Sequence, residues 1–113
     1  MSNDEKKNSS GPATVTFEFS GSVWHYQNPN TVYFVSVPEE ISAEILALAG
    51  TSLNPWGTVP VDATVNGVTW YTSMFPRKNG RYYDLPLKLK IVSRLGLADD
   101  QEIRVAVAIA LPW

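Results

Sequence analysis

The stretch Phe34-Val35-Ser36-Val37-Pro38-Glu39-Glu40-Ile41, running on to Ala49-Gly50, returns 48 residues later around Leu85-Pro86-Leu87, running on to Leu95-Gly96. Each copy reads as a strand that ends at a proline, then a short helix, then a glycine. Proline suits a first helical position, because the helix needs no N–H there and the ring fixes φ. In the first copy Glu39, Glu40 and Glu44 lie toward the positive end of the helix dipole. Ile41, Ile45 and Leu48 fall at helical spacing and define one buried face, and Gly50 stands where a left-handed residue ends a helix. In the second copy Leu87, Ile91 and Leu95 repeat the spacing and Gly96 takes the place of Gly50. Two copies predict a domain with internal pseudo-two-fold symmetry rather than a solenoid.

Working outward, the flanking segments read as strands. Thr14–Tyr26 alternates, with Val15, Phe17 and Phe19 on one face and Thr14, Thr16 and Glu18 on the other. Gln27-Asn28-Pro29-Asn30 is turn chemistry, and Thr31–Val37 completes a hairpin. Thr51–Pro55 reads as a loop. Val59–Val65 and Val68–Phe75 are strands joined by Asn66-Gly67, the pair favoured where both turn residues need positive φ. Arg77-Lys78-Asn79-Gly80 is a further turn, followed by a short strand over Arg81–Leu85. Glu102–Leu111 alternates again through Ile103, Val105, Val107 and Ile109.

A chain of 113 residues with 44% hydrophobic and 12% aromatic content is sized for one packed domain, placed at 14–113. Residues 1–13 are polar and charged, with no apolar core of an export signal, and read as a disordered tail. No run reaches the roughly 20 apolar residues of a membrane helix, so the expected location is the cytoplasm and no membrane partner is expected. The absence of cysteine excludes disulfides, thiolate metal ligands and a cysteine nucleophile. Net charge is −2, but the charges are unevenly shared. Residues 1–62 carry two lysines against seven acids, whereas Arg77, Lys78, Arg81, Lys88, Lys90 and Arg94 face Asp84 alone between 77 and 94.

At this point the residues resemble a known family. Phe34-x-x-Val37-Pro38, Pro55-Trp56-Gly57-x-Val59-Pro60-Val61, Val65-Asn66-Gly67, Trp70-x-Thr72-Ser73-x-Phe75-Pro76 and Leu85-Pro86-Leu87-Lys88 look like the bacterial family known as domain of unknown function 1905. The resemblance runs from about Phe17 to Leu111. It implies a mainly β fold, a double-split β-barrel capped by two short α-helices, and it brings no established activity. A second, local likeness covers Tyr82-Tyr83-Asp84-Leu85-Pro86-Leu87 and Arg94-Leu95-Gly96-Leu97 through Glu102-Ile103-x-Val105. That segment is similar to the AbrB/MazE-type swapped hairpin, in which two chains each supply one such unit to a DNA-binding dimer. Here both units lie in one chain, which makes a monomer the expected state.

Two sets of residues are candidates for function. Trp56 sits between Pro55 and Gly57, and with Trp70 it offers apolar surface for a pocket. Thr72 and Ser73 would serve as hydrogen-bonding groups and Arg77 as an anchor for an anion. The bland alternative is that the indoles plug the ends of the barrel, the commoner role of large aromatics. The basic set Arg77, Lys78, Arg81, Lys88, Lys90 and Arg94, with Tyr82 and Tyr83 for stacking, would suit nucleic acid. Against it, Glu39, Glu40 and Glu44 occupy the corresponding helix of the first copy, where a symmetric DNA reader would want cations.

Catalysis has little support. His25 is the only histidine, alternation puts it on the opposite face from Trp24 and Tyr26, and no partner is recognisable. Ser73 lacks a nucleophile elbow, and the adjacent carboxylates Glu39-Glu40 and Asp99-Asp100 are not spaced for paired acid–base work. One histidine and no cysteine make a poor metal set, and no glycine-rich phosphate loop is present. The sequence therefore predicts a non-enzymatic module without cofactor or metal. It would bind a small molecule or a partner protein, with DNA binding as the alternative.

The turn at Asn66-Gly67 gives a direct test. Gly67→Val forces a β-branched residue to positive φ and should lower stability on the order of 1–2 kcal/mol or more. An unchanged thermal midpoint would rule out a type I′ turn.

Overall fold

The structure, a computed structural model, describes residues 14–27, 29–49, 56–77 and 82–110. The expected N-terminal tail, Gly50, the loop over 51–55, most of the turn at 77–80, Arg81 and Leu111 lie outside the described residues. Six strands and two helices follow in chain order: β1 (Thr14–Gln27), β2 (Thr31–Ser36), α1 (Glu39–Ala49), β3 (Val59–Val65), β4 (Val68–Pro76), β5 (Tyr83–Leu87), α2 (Leu89–Leu95) and β6 (Glu102–Ala110). The strands close an antiparallel barrel in the order β1-β2-β5-β4-β3-β6.

That order carries the symmetry read from the repeat. The chain is two ββαβ units, β1-β2-α1-β3 and β4-β5-α2-β6. Exchanging them maps the barrel onto itself: β2·β5 and β3·β6 are the two seams at which a strand meets its own counterpart, and the units also meet along β1·β6 and β3·β4. At the first seam Val35 pairs with Leu85 and Ser36 with Asp84, and the latter residues are 48 apart, the repeat length itself. The pseudo-two-fold axis therefore crosses this seam, close to these two pairs. At the second seam Asp62, Ala63 and Thr64 pair with Ala108, Val107 and Ala106.

β1 is long because it serves two neighbours. Thr14 to Ser22 pair with β6, and Val23 to Gln27 pair with β2. The loop before β6 clamps the handover. Gln101 O accepts from Val23 N at 2.9 Å, and Asp100 N donates to Val23 O at 2.7 Å, with Asp100 in the left-handed region at φ 68. Asp is among the residues that tolerate this conformation best.

The interior follows from period-two alternation. Val59, Val61, Ala63 and Val65 of β3 and Ile103, Val105, Val107 and Ile109 of β6 are all buried, as are Val23, Val35, Met74, Tyr83, Leu85 and Leu87. Burial pushes the Tyr83 phenol above its ordinary pKa, because the charged form loses its hydration. Ile45 of α1 and Ile91 and Val92 of α2 join the same core. The buried Ser42 ties α1 down, its hydroxyl donating to Val37 O and accepting from Tyr83 N, both at 3.2 Å. Asn66 and Gly67 have φ 49 and 79, the signs a type I′ turn requires.

The second proline behaves differently from the first. Pro38 does precede a helix, and its carbonyl accepts from Ser42 N at 2.8 Å. Pro86 instead lies inside β5, opposite Phe34, and Leu87 is a buried strand residue opposite Tyr33. The helix expected from Pro86 begins only at Leu89, after an extended Lys88. Strand pairing decides the matter: Tyr83, Leu85 and Leu87 keep alternating into the core, which a helix starting at Pro86 would interrupt. The Pro86 carbonyl remains occupied, accepting from Trp70 Nε1 at 3.3 Å. α2 then ends as the glycine predicts, with Gly96 at φ 66 and Leu97 N donating to Val92 O at 3.0 Å.

Gly21 sits just before the handover in β1, where a Cβ would lie 2.8 Å from Val35 Cγ2 and 3.0 Å from Ser36 O. Val35 is fully buried, so it has nowhere to yield. Gly21→Ala should destabilise by about 1–3 kcal/mol through overpacking, outweighing the roughly 0.4–1 kcal/mol that stiffening the unfolded chain contributes. A urea midpoint equal to or above that of the parent chain would show that this corner has slack.

Candidate functional site

β4 sends alternate residues to opposite faces. Trp70 and Met74 point into the core, while Tyr71 and Phe75 are exposed and Ser73 is half-buried on the outside. Beyond the far end of β4 stands the segment 56–58, which leads into β3. Gly57 adopts φ 76, and a Cβ there would lie 3.3 Å from Pro76 Cγ, so the missing side chain lets this backbone approach Pro76. Between them lies an open groove of about 520 Å³, lined by Trp56, Thr58, Ser73, Phe75 and Pro76. Trp56 is 80% exposed, more than any other large hydrophobic side chain described. The lining is apolar with two hydroxyl side chains and contains no titratable group.

Beside the groove is a polar network on the outer surface. Phe75 pairs across the strands with Asp84, whose side chain is only 14% exposed. Arg77 Nε donates to Asp84 Oδ1 at 3.1 Å and to Oδ2 at 3.0 Å, and Ser36 Oγ donates to Oδ1 at 2.9 Å. Ser36 Oγ in turn accepts from Arg77 Nη2 at 2.7 Å and from Trp24 Nε1 at 3.0 Å. The guanidinium carbon lies 5.5 Å from the Trp24 ring centre and 5.7 Å from that of Tyr82, within cation–π range. Trp24 is itself stacked on Phe34, with ring centres 4.8 Å apart. A charged pair this well supplied with hydrogen bonds is a rigid support. The charge of Arg77 is matched by Asp84.

The structure thus distributes the residues singled out in the sequence. Trp56 and Ser73 share the groove. Trp70 is buried in the core, its indole N–H committed to Pro86 O. Thr72 is half-buried on the other face of β4, opposite Val61. Arg77 belongs to the network with Asp84. Of the basic set, Lys88, Lys90 and Arg94 line a separate cavity near the start of β4, and Lys78 and Arg81 lie outside the described residues. Thr58, Phe75 and Pro76 complete the groove and are not singled out from the sequence. The alternation of β4 carries a signal for Phe75, since it shares the outward phase of Tyr71 and Ser73.

His25 has a partner after all, Asp99, with Nδ1 2.9 Å from Oδ1. The two are 74 residues apart and both are well exposed. No serine or threonine hydroxyl bonds to His25 among the described residues, so the pair forms no nucleophilic triad there. No three His, Cys, Asp or Glu side chains are grouped to hold a metal ion among the described residues. Nor is any described helix long and apolar enough to cross a membrane.

No curated protein matches this chain. Residues 19–107, from Phe19 in β1 to Val107 in β6, match the sequence model of one family, described as a domain of unknown function (DUF1905), and the chain belongs to that family.

Proposed function

We propose that this domain is a non-catalytic binding module whose ligand contact is the groove of Trp56, Thr58, Ser73, Phe75 and Pro76. The observation that carries the reading is Trp56, a tryptophan held largely exposed at the rim of an apolar groove. Exposed aromatic surface flanked by a few polar groups is the composition of binding sites. The network of Arg77, Asp84, Ser36 and Trp24 stiffens the adjoining sheet, which lowers the ordering cost of binding. The lining has hydroxyl groups but no acid or base to activate them, which favours binding over catalysis. The ligand that fits presents a flat apolar or aromatic group to Trp56 and Phe75 and a hydrogen-bonding group to Ser73.

DNA binding through the basic set draws less support. Lys88, Lys90 and Arg94 converge on one cavity, and the symmetry-related helix α1 opens with Glu39 and Glu40. A two-fold DNA reader would present cations from both units.

Two-dimensional amide NMR against a library of metabolites and short aromatic or proline-containing peptides tests the proposal. Binders should shift the amides of Ser73 and Phe75 and the Trp56 indole. Trp56→Ala should weaken them by about 2 kcal/mol or more, the usual cost of truncating an aromatic anchor. A library with no such binder, or binders indifferent to Trp56→Ala, would overturn the assignment.

A further inference from the structure

At the opposite end of β4 from the aromatic groove, Val68, Thr69, Trp70, Lys88, Lys90, Ile91 and Arg94 line a half-open cavity of about 300 Å³. Its lining holds three cations and no carboxylate. The other two described cations are paired, Arg77 with Asp84 and Arg104 with Glu18. Lys88, Lys90 and Arg94 have no ion pair with any described acid. Three like charges brought around one concavity repel one another, and an anion placed among them relieves that repulsion. The net charge of the whole chain is −2, so this cluster stands out against the molecule rather than following from it.

We propose that this cavity binds a small phosphorylated molecule. Lys88, Lys90 and Arg94 would hold its phosphate, with charge-assisted hydrogen bonds from all three side chains. Val68, Trp70 and Ile91 supply an apolar floor for its carbon skeleton. That floor is fixed: Ile91 and Trp70 are buried, and the Trp70 indole is pinned to Pro86 O. A compact anion suits the geometry better than a nucleic-acid backbone. The three cations line one half-open concavity, and the related helix α1 begins with acids. The site is separate from the Trp56 groove, so either assignment can hold without the other.

The test is an amide NMR titration of the whole chain with inorganic pyrophosphate, at ionic strength held constant with sodium chloride. Short duplex DNA is titrated in a parallel arm. The proposal expects saturable shifts at Thr69, Trp70 and Ile91, weakened about tenfold or more in Lys90→Gln/Arg94→Gln. Both replaced side chains are exposed, and preserved dispersion of the core amides establishes that the variant is folded. Lys88→Gln provides a second variant, with a smaller loss expected in the same direction. Absence of saturation, equal affinity in the variants, or duplex DNA binding at these residues without pyrophosphate binding would each overturn it.

Discussion

The structure depends on strand pairing between its two units, and at the β2·β5 seam that pairing brings Ser36 against Asp84. Neither ββαβ unit can close a sheet by itself, because β3 pairs only with strands of the other unit and the β1–β2 hairpin alone would leave both its edges unpaired. Those edges are satisfied only by the other unit. Near the symmetry axis, corresponding stretches of the two halves face each other across this seam. Two aspartates there would repel, and two serines would leave Arg77 without a counter-charge. One serine and one aspartate instead make a donor and an acceptor, and Arg77 and Trp24 supply the remaining hydrogen bonds. This arrangement lets a half-buried carboxylate sit within the seam without an unmet charge.

The barrel so closed has an interior filled largely by alternating aliphatic side chains, with Phe19, Trp70, Met74 and Tyr83 among them. Both candidate sites lie outside that core, along β4. Its far end, with Ser73, Phe75 and Pro76, meets Trp56 across Gly57 to form an apolar groove. Its start, with Val68 to Trp70, meets α2 and the three cations that pair with no described acid. The two units share an architecture but not a charge, since acids open α1 and cations flank and close α2. The pseudo-symmetry therefore organises the fold, while the surfaces of the two units are specialised separately.

Much of the fold was legible in the sequence because period-two patterns and turn chemistry are local. β6, the Asn66-Gly67 hairpin and the glycine ending α2 follow from residues a few positions apart. Pro86 was misleading for the complementary reason. Its local chemistry matches a helix start, as at Pro38, but the core continues to demand Leu87 on the strand's inward phase. The binding surfaces were only half legible. Trp56 and Trp70 are the same residue type, and only the inward phase shared with Met74 separates the buried indole from the exposed one. Arg77 looked available because Asp84 and Ser36 meet it through strand pairing. His25 looked unpartnered because Asp99 is carried to it by a loop that clamps Val23 from the other end of the chain.

If the two units are stable only as one barrel, joined through β2·β5, β3·β4, β3·β6 and β1·β6, they must unfold together. Urea unfolding followed residue by residue, through the intensities of native amide signals, tests it most directly. Val23 and Val35 report the first unit, Met74 and Leu85 the second, and Ala63 with Val107 the far seam. A single transition with coincident midpoints for all six is the result this account predicts. Separate transitions for the two units, or loss of the β2·β5 pair while the rest stays folded, would contradict it.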